Sequence, residues 1–255
     1  MKLVRLSICY WFVTTTCGFT TFASSQTPEQ RQLIELLQRV DEIWRGKSST
    51  GKMSMEVKTK YYQRKMSIRF WSEGDKNFLA RIEEPIKEKG TSTLKIDNVI
   101  YNYLPKIDRT IKIGSSMMGG SWMGSHITND DLVKSSKLAS DYLITKEPNS
   151  TATRWNITLT PKKDSAVVWG KILLILSMPD AIPVEQQFFD EDFKLARTMH
   201  FSQIKAIAGR KVPLEMLVKP AQKPEEYTKI TYTDISFDTK MPTKTFSLQN
   251  LKRAR

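Results

Sequence analysis

Residues that most often carry chemistry are scarce in this chain. Its 255 residues include two cysteines and two histidines. Cys9 and Cys17 both fall inside an N-terminal segment that reads as a leader. Its removal leaves a mature chain with no thiol nucleophile, no disulfide and no Cys metal ligand. His126 and His200 stand 74 residues apart, and neither belongs to a His-Glu-x-x-His motif. No P-loop or dinucleotide-binding glycine pattern occurs, and Gly114–Gly124 fits neither spacing. Ser125 and His126 are neighbours in sequence, which does not make a catalytic pair. No enzyme, cofactor or metal is therefore expected, and a hydrolase using His126 or His200 is the weakest reading.

Other absences set the class. Gly and Pro, at 11 each, are too few for a collagen-like or low-complexity chain. No apolar run reaches the roughly 20 residues of a membrane-spanning helix. Acids are outnumbered, 27 against 40 Lys and Arg, which gives a net charge of +13. The bases are scattered through candidate strands and turns, so a solvated face is the default, with an anionic membrane or acidic partner as the specific alternative. Nucleic acid is not expected as a partner, because an exported protein rarely meets it.

Residues 1–25 have the order of a signal peptide. Lys2 and Arg5 precede the apolar Leu6–Val13, and small residues follow at Thr21, Ala23, Ser24 and Ser25. Cleavage near Ala23 or Ser25 removes two positive charges, from +13 to +11, and leaves residues 26–255 as one domain. A lipid anchor at Cys17 is not expected, since Thr14 stands where such sites usually have Leu.

Thr27-Pro28-Glu29-Gln30 predicts a helix start, with Thr27 as cap and Gln30 completing a capping box. Leu33, Leu36, Leu37, Val40, Ile43 and Trp44 then form one apolar face, and Gly46 ends it. From Met53 onward the period changes to two. Met53, Met55 and Val57, then Met66, Ile68 and Phe70, then Phe78, Ala80 and Ile82 alternate with polar residues. About twelve strands follow in all, linked by short turns such as Ala208-Gly209-Arg210 and including a buried strand within Val167–Leu176. This predicts a mainly β fold with flanking helices, a large curled antiparallel sheet forming an open barrel.

Gly114–Asp131 breaks the alternation. Met117, Met118, Trp122 and Met123 lie there among four glycines, with Thr128 or Asn129 placed to cap a helix at Asp130. The segment reads either as a movable apolar lid or as a long loop that plugs the barrel.

Several stretches together resemble the bacterial outer-membrane lipoprotein-sorting (LolA-like) family. They are Glu84–Leu94, Tyr101–Lys106, Ser115–Met118, Ser121–Ser125, Asn129–Leu132, Gly209–Pro213 and Phe246–Leu251. The resemblance implies an incomplete barrel, covered by helices and loops, that carries acyl chains through the periplasm. The alternation agrees with this independently: Met53, Met55, Val57, Met66, Ile68, Phe70, Phe78 and Ile82 read as a lipid-binding wall, with Met117, Met118, Trp122 and Met123 as lid; packed core is the competing reading of that wall. The resemblance also implies a cavity arginine, for which Arg64 and Arg69 are candidates. The Ser-Met-Met and Ser-Trp-Met-Gly-Ser stretches resemble a divergent branch. In that branch a partner such as an RND/MMPL-type inner-membrane transporter is expected, with an envelope lipid as the alternative cargo to a lipoprotein. An outer-membrane acceptor, a monomeric state and a non-carrying adaptor as the alternative function complete these expectations.

Overall fold

The computed structural model describes residues 27–134 and 137–253. The leader and both cysteines lie outside the described residues.

Helix α1 (Pro28–Glu42) begins where Thr27 accepts the Gln30 N–H at 3.2 Å. The reciprocal half of the expected capping box is not made. The Gln30 amide instead donates to the carbonyl of Ile144, 3.3 Å away, because α1 lies against the strand that carries it. Leu33, Leu36, Leu37 and Val40 are buried, and Gly46 ends the run in left-handed backbone with φ +56°.

Six strands follow as an antiparallel meander: β1 (Ser48–Lys58), β2 (Gln63–Glu73), β3 (Asn77–Glu84), β4 (Ser92–Ile96), β5 (Val99–Leu104) and β6 (Arg109–Lys112). The chain then crosses to the far edge of the same sheet. It returns through β7 (Tyr142–Lys146), β8 (Arg154–Pro161), β9 (Lys171–Ser177), β10 (Ile182–Phe189), β11 (Leu195–Ile207), β12 (Arg210–Pro220) and β13 (Tyr227–Phe237). Strand β13 pairs with β1 and joins the two halves into one sheet of 13 strands, with β6 and β7 as its edges. The sheet curls without closing.

Two local features shape the seam. The β1–β13 register slips between Lys52 and Met53, a bulge that adds twist. Beside it, a Cβ on Gly51 would fall 2.0 Å from the Asp234 carbonyl oxygen, so only glycine permits this approach. The β11–β12 turn has φ +49° at Ala208 and +76° at Gly209, as a tight two-residue hairpin requires.

The sequence predicts twelve strands, and β7 is the one it lacks. Tyr142, Leu143 and Ile144 are apolar in succession, so no alternation marks the strand. Tyr142 and Ile144 turn inward, while Leu143 stays 57% exposed on the edge. The apolar run Val167–Leu176 enters its strand only after Gly170, as β9, with β8 and β10 on either side.

The inner faces of β1, β2 and β3 and of β7–β13 pack with α1 into the main core. A second cluster lies on the outer face of β3–β5, where Leu79, Leu94 and Tyr103 sit under Phe246 and Leu251. Leu251 belongs to helix α4 (Leu248–Leu251), capped by Ser247. Among the described residues no helix is long and apolar enough to cross a membrane.

Candidate functional site

Topology dictates what covers the open side. The link from β6 to β7 must travel from one edge of a curled sheet to the other, so it passes over the concave face. It contains Gly114–Asp131, helix α2 (Asn129–Lys134) and helix α3 (Leu138–Asp141). Thr128 caps α2, and here a reciprocal pair forms. The Asp131 N–H donates to Thr128 Oγ1 at 3.2 Å, and the Thr128 N–H donates to the Asp131 carboxylate at 2.7 Å. Asn129 is not the cap; its amide donates to the carbonyls of Met117 and Gly120 and closes the loop on itself.

The crossover is fastened to both halves of the sheet. On one side Trp122 Nε1 donates to Thr93 Oγ1 of β4 at 3.1 Å. Arg64 of β2 donates to the Met123 carbonyl and pairs with Glu88 at 3.0 Å. Tyr62 donates to the Gly124 carbonyl at 2.6 Å. Gly124 has φ +64°, and a Cβ there would meet Arg64 Nη2 at 2.7 Å, so this contact depends on glycine.

On the other side Arg197 of β11 holds Asp131 through two hydrogen bonds and also donates to the His126 carbonyl. Its guanidinium lies against the touching rings of Trp169 and Phe188, 4.7 and 4.3 Å from their centres. His126 bridges Thr228 Oγ1 at 2.9 Å and Glu226 at 3.1 Å. The His126 hydrogen bond holds the Glu226 carboxyl below the ordinary carboxylate range.

Between sheet, α1 and crossover lies a cavity of about 300 Å³. That volume is at the low end of small-molecule sites. Much of its wall is apolar, including Trp122, Ile127, Trp169, Phe188, Met199 and Phe201. Trp122 packs edge-on to Phe78, their centres 6.2 Å apart. Near the β2–β3 turn the wall becomes polar, with Arg45, Ser72, Asp75, Asn77 and Lys95. The crossover's anchors at Glu226, Thr228 and Arg197 lie at the opposite ends of their strands. Burial, then repulsion from Arg45, pushes the Lys95 ammonium down to about 8. Burial raises the Asp130 carboxyl and pushes the Tyr142 and Tyr232 phenols up to about 12.

The residues singled out in the sequence divide into groups. Met53, Phe70, Phe78 and Trp122 line the cavity. Met55, Val57, Met66, Ile68 and Ile82 are buried in the core beneath it, none more than 2% exposed. Met123 packs on that core, Met118 joins a separate cluster with Ile100, Ile113 and Val133, and Met117 is 46% exposed. Neither candidate arginine lines the cavity. Arg64 holds the crossover, and Arg69 is bound to Glu83 at 2.7 Å on the outer face.

The cavity cations are Arg45, Lys95, Lys134 and Arg197. Arg197 had a signal in the sequence, because it keeps step with Met199 and Phe201 on an inward-facing register. Lys95 had none, since it alternates with the apolar Leu94 and Ile96. Ser125 Oγ donates to the Trp122 carbonyl at 2.7 Å and both His126 ring nitrogens have partners elsewhere, so the two do not face each other as nucleophile and base. His200 stands on the outer face, 3.4 Å from Glu185.

Comparison with known proteins places this architecture. No functionally curated protein matches the chain. An outer membrane lipoprotein-sorting protein domain from Vibrio parahaemolyticus superposes with a TM-score of 0.72 at 21% identity, covering 88% of this chain and 100% of that one. A LolA superfamily protein from Nitrosomonas europaea gives 0.70 at 19%, covering 86% and 98%. A DUF1329 family protein from Desulfovibrio piger gives 0.75 at 20%, covering 88% and 100%. A family model described as an uncharacterized protein matches residues 74–253, well over half the chain. The chain belongs to the family this model describes, and its fold is that of the LolA-like open, curled-sheet proteins.

Proposed function

We propose that this protein is a periplasmic carrier that shields acyl chains of a lipoprotein or another envelope lipid and passes them toward the outer membrane. The observation that carries the reading is the cavity itself. It is largely apolar, it lies inside a sheet that does not close, and it is roofed by a crossover that is not part of the sheet. Apolar surface removed from water is worth about 25 cal/mol per Å², so an acyl chain in water needs such a sleeve.

Release needs the opposite property. Trp122 and Phe78 occupy space that cargo would take, which keeps net affinity moderate. The crossover is held by hydrogen bonds and ion pairs along one end of the strands rather than by strand pairing, so it can lift while the sheet stays intact. A donor at the inner membrane and an acceptor at the outer membrane complete the route.

Native mass spectrometry of the protein purified from its own envelope, followed by lipid extraction, tests this. Bound mass that extracts as phospholipid, another lipid or an acylated peptide supports the carrier and names its cargo. A protein that stays bare after incubation with labelled lipids overturns it in favour of a non-carrying adaptor on an RND/MMPL-type transporter.

A further inference from the structure

We propose that the polar end of the cavity is a headgroup site for an anionic amphiphile, a single acyl chain ending in a carboxylate or phosphate, held by Lys95 with Arg45 beside it. The proposal rests on the carrier reading and adds to it the charge of the cargo's head.

The cavity wall holds four cations, and three have carboxylates. Arg197 pairs with Asp131 at 2.6 Å, Lys134 with Asp130 at 3.7 Å, and Arg45 with Asp41. Lys95 differs. It is 4% exposed on the inner face of β4, and among the described residues no carboxylate comes within 4.0 Å of its Nζ. The ammonium donates to the backbone carbonyl of Asp75. An ammonium has three donors, so a single carbonyl leaves two unused. Removing a charge from water without a counter-charge is costly, and burial does so here beside another cation. The charged groups around Lys95 are Arg45 and Lys137, which repel it, and Asp75 and Asp97, which attract it. Burial first, and then repulsion from Arg45, lowers its proton affinity.

An anion at this end would supply the missing charge. The rest of the wall says what should be attached to it. A small free anion has no use for Trp122, Trp169, Phe188 and Phe201, whereas an acyl chain does. The volume of about 300 Å³ suits a single chain. Head near the β2–β3 turn and tail under the crossover is the orientation that matches both ends.

Calorimetric titration of the purified protein at pH 7 with two matched pairs tests this. One pair is palmitate and hexadecanol; the other is lysophosphatidylglycerol and monopalmitoylglycerol. A charge-assisted contact predicts that at least one anionic probe binds about tenfold or more tighter than its neutral match. In Lys95→Met that preference should fall below about threefold, with the neutral probes unchanged. Preference within the first pair alone assigns a fatty acid, and within the second alone a phosphate head. Equal binding within both pairs, or a preference that survives Lys95→Met, overturns the headgroup site and leaves the carrier standing. No binding of any of the four overturns both. Lys95→Gln serves as a second variant should the Met protein fail to fold.

Discussion

Arg197 on β11 grips Asp131 at the start of α2 through two parallel hydrogen bonds of 2.7 and 2.6 Å, and so ties the crossover to the far half of the sheet. Both side chains are largely buried, 6% and 15% exposed. Arg197 also packs against two aromatic rings, so the pair combines charge, geometry and packing.

Arg197→Met should therefore cost roughly 3–5 kcal/mol, because it strands a buried carboxylate. Adding Asp131→Asn should recover most of that loss, since the uncompensated charge is then gone. Urea denaturation of the two single variants and the double variant measures both effects. Equal, additive losses would show that the ion pair does not fasten the crossover.

Lys95 predicts a conflict between stability and function. Its ammonium is pushed from the ordinary 10.5 down to about 8, so the folded chain binds this proton more weakly than the unfolded chain. Between those two values the unfolded state holds more protons, and stability should rise with pH. Below pH 8 the charged lysine costs its full amount, about 3 kcal/mol. Lys95→Met should raise stability at pH 7 by up to about that much and lose its advantage as pH rises to 10.5. Denaturation midpoints from pH 7 to pH 10.5 check the sign.

Glu226 acts in the opposite pH range. Its hydrogen bond from His126 holds it below the usual carboxylate value of 4.5. It stabilises the fold above that value and loses this effect as pH falls through the depressed folded value. Glu226→Gln removes the dependence, so its melting temperature should fall less between pH 6 and pH 3 than that of the unaltered protein. A parallel fall in both would mean the His126–Glu226 contact carries no net stability.

Trp122 is 2% exposed and packs edge-on against Phe78 in the cavity wall. Trp122→Ala should cost about 3–5 kcal/mol, as large-to-small changes in packed interiors do. It also vacates space that cargo would take, so an acyl-chain probe should dissociate more slowly from the variant. Stopped-flow release from vesicle-loaded protein reads that rate. An unchanged rate with the same loss of stability would make Trp122 a plug of the core and not part of the lid.

Much of this fold is legible in the chain itself. The helix at Pro28 follows from Thr27, Pro28 and a face of six apolar residues at helical spacing. Strand after strand follows from a period of two, because one face of each is buried. The irregular Gly114–Asp131 stands out for the same reason, since it has neither period. These are local properties, set by steric preference and side-chain spacing over a few residues.

What alternation leaves open is which face looks inward. In β4, Leu94 and Ile96 are the apolar set, and Lys95 belongs to the polar one. The structure turns Leu94 outward because Phe246 and Leu251, some 150 residues later, cover it, and that turns Lys95 into the cavity. The crossover is decided in the same way. Only the pairing of β13 with β1 makes β6 and β7 the two edges, and only then must the link between them roof the open side. Sequence alone determined every strand but β7, their order and the resemblance to the LolA-like family. Tertiary structure decided which residues became cavity, core or clamp, because each of those depends on contacts between segments far apart in the chain.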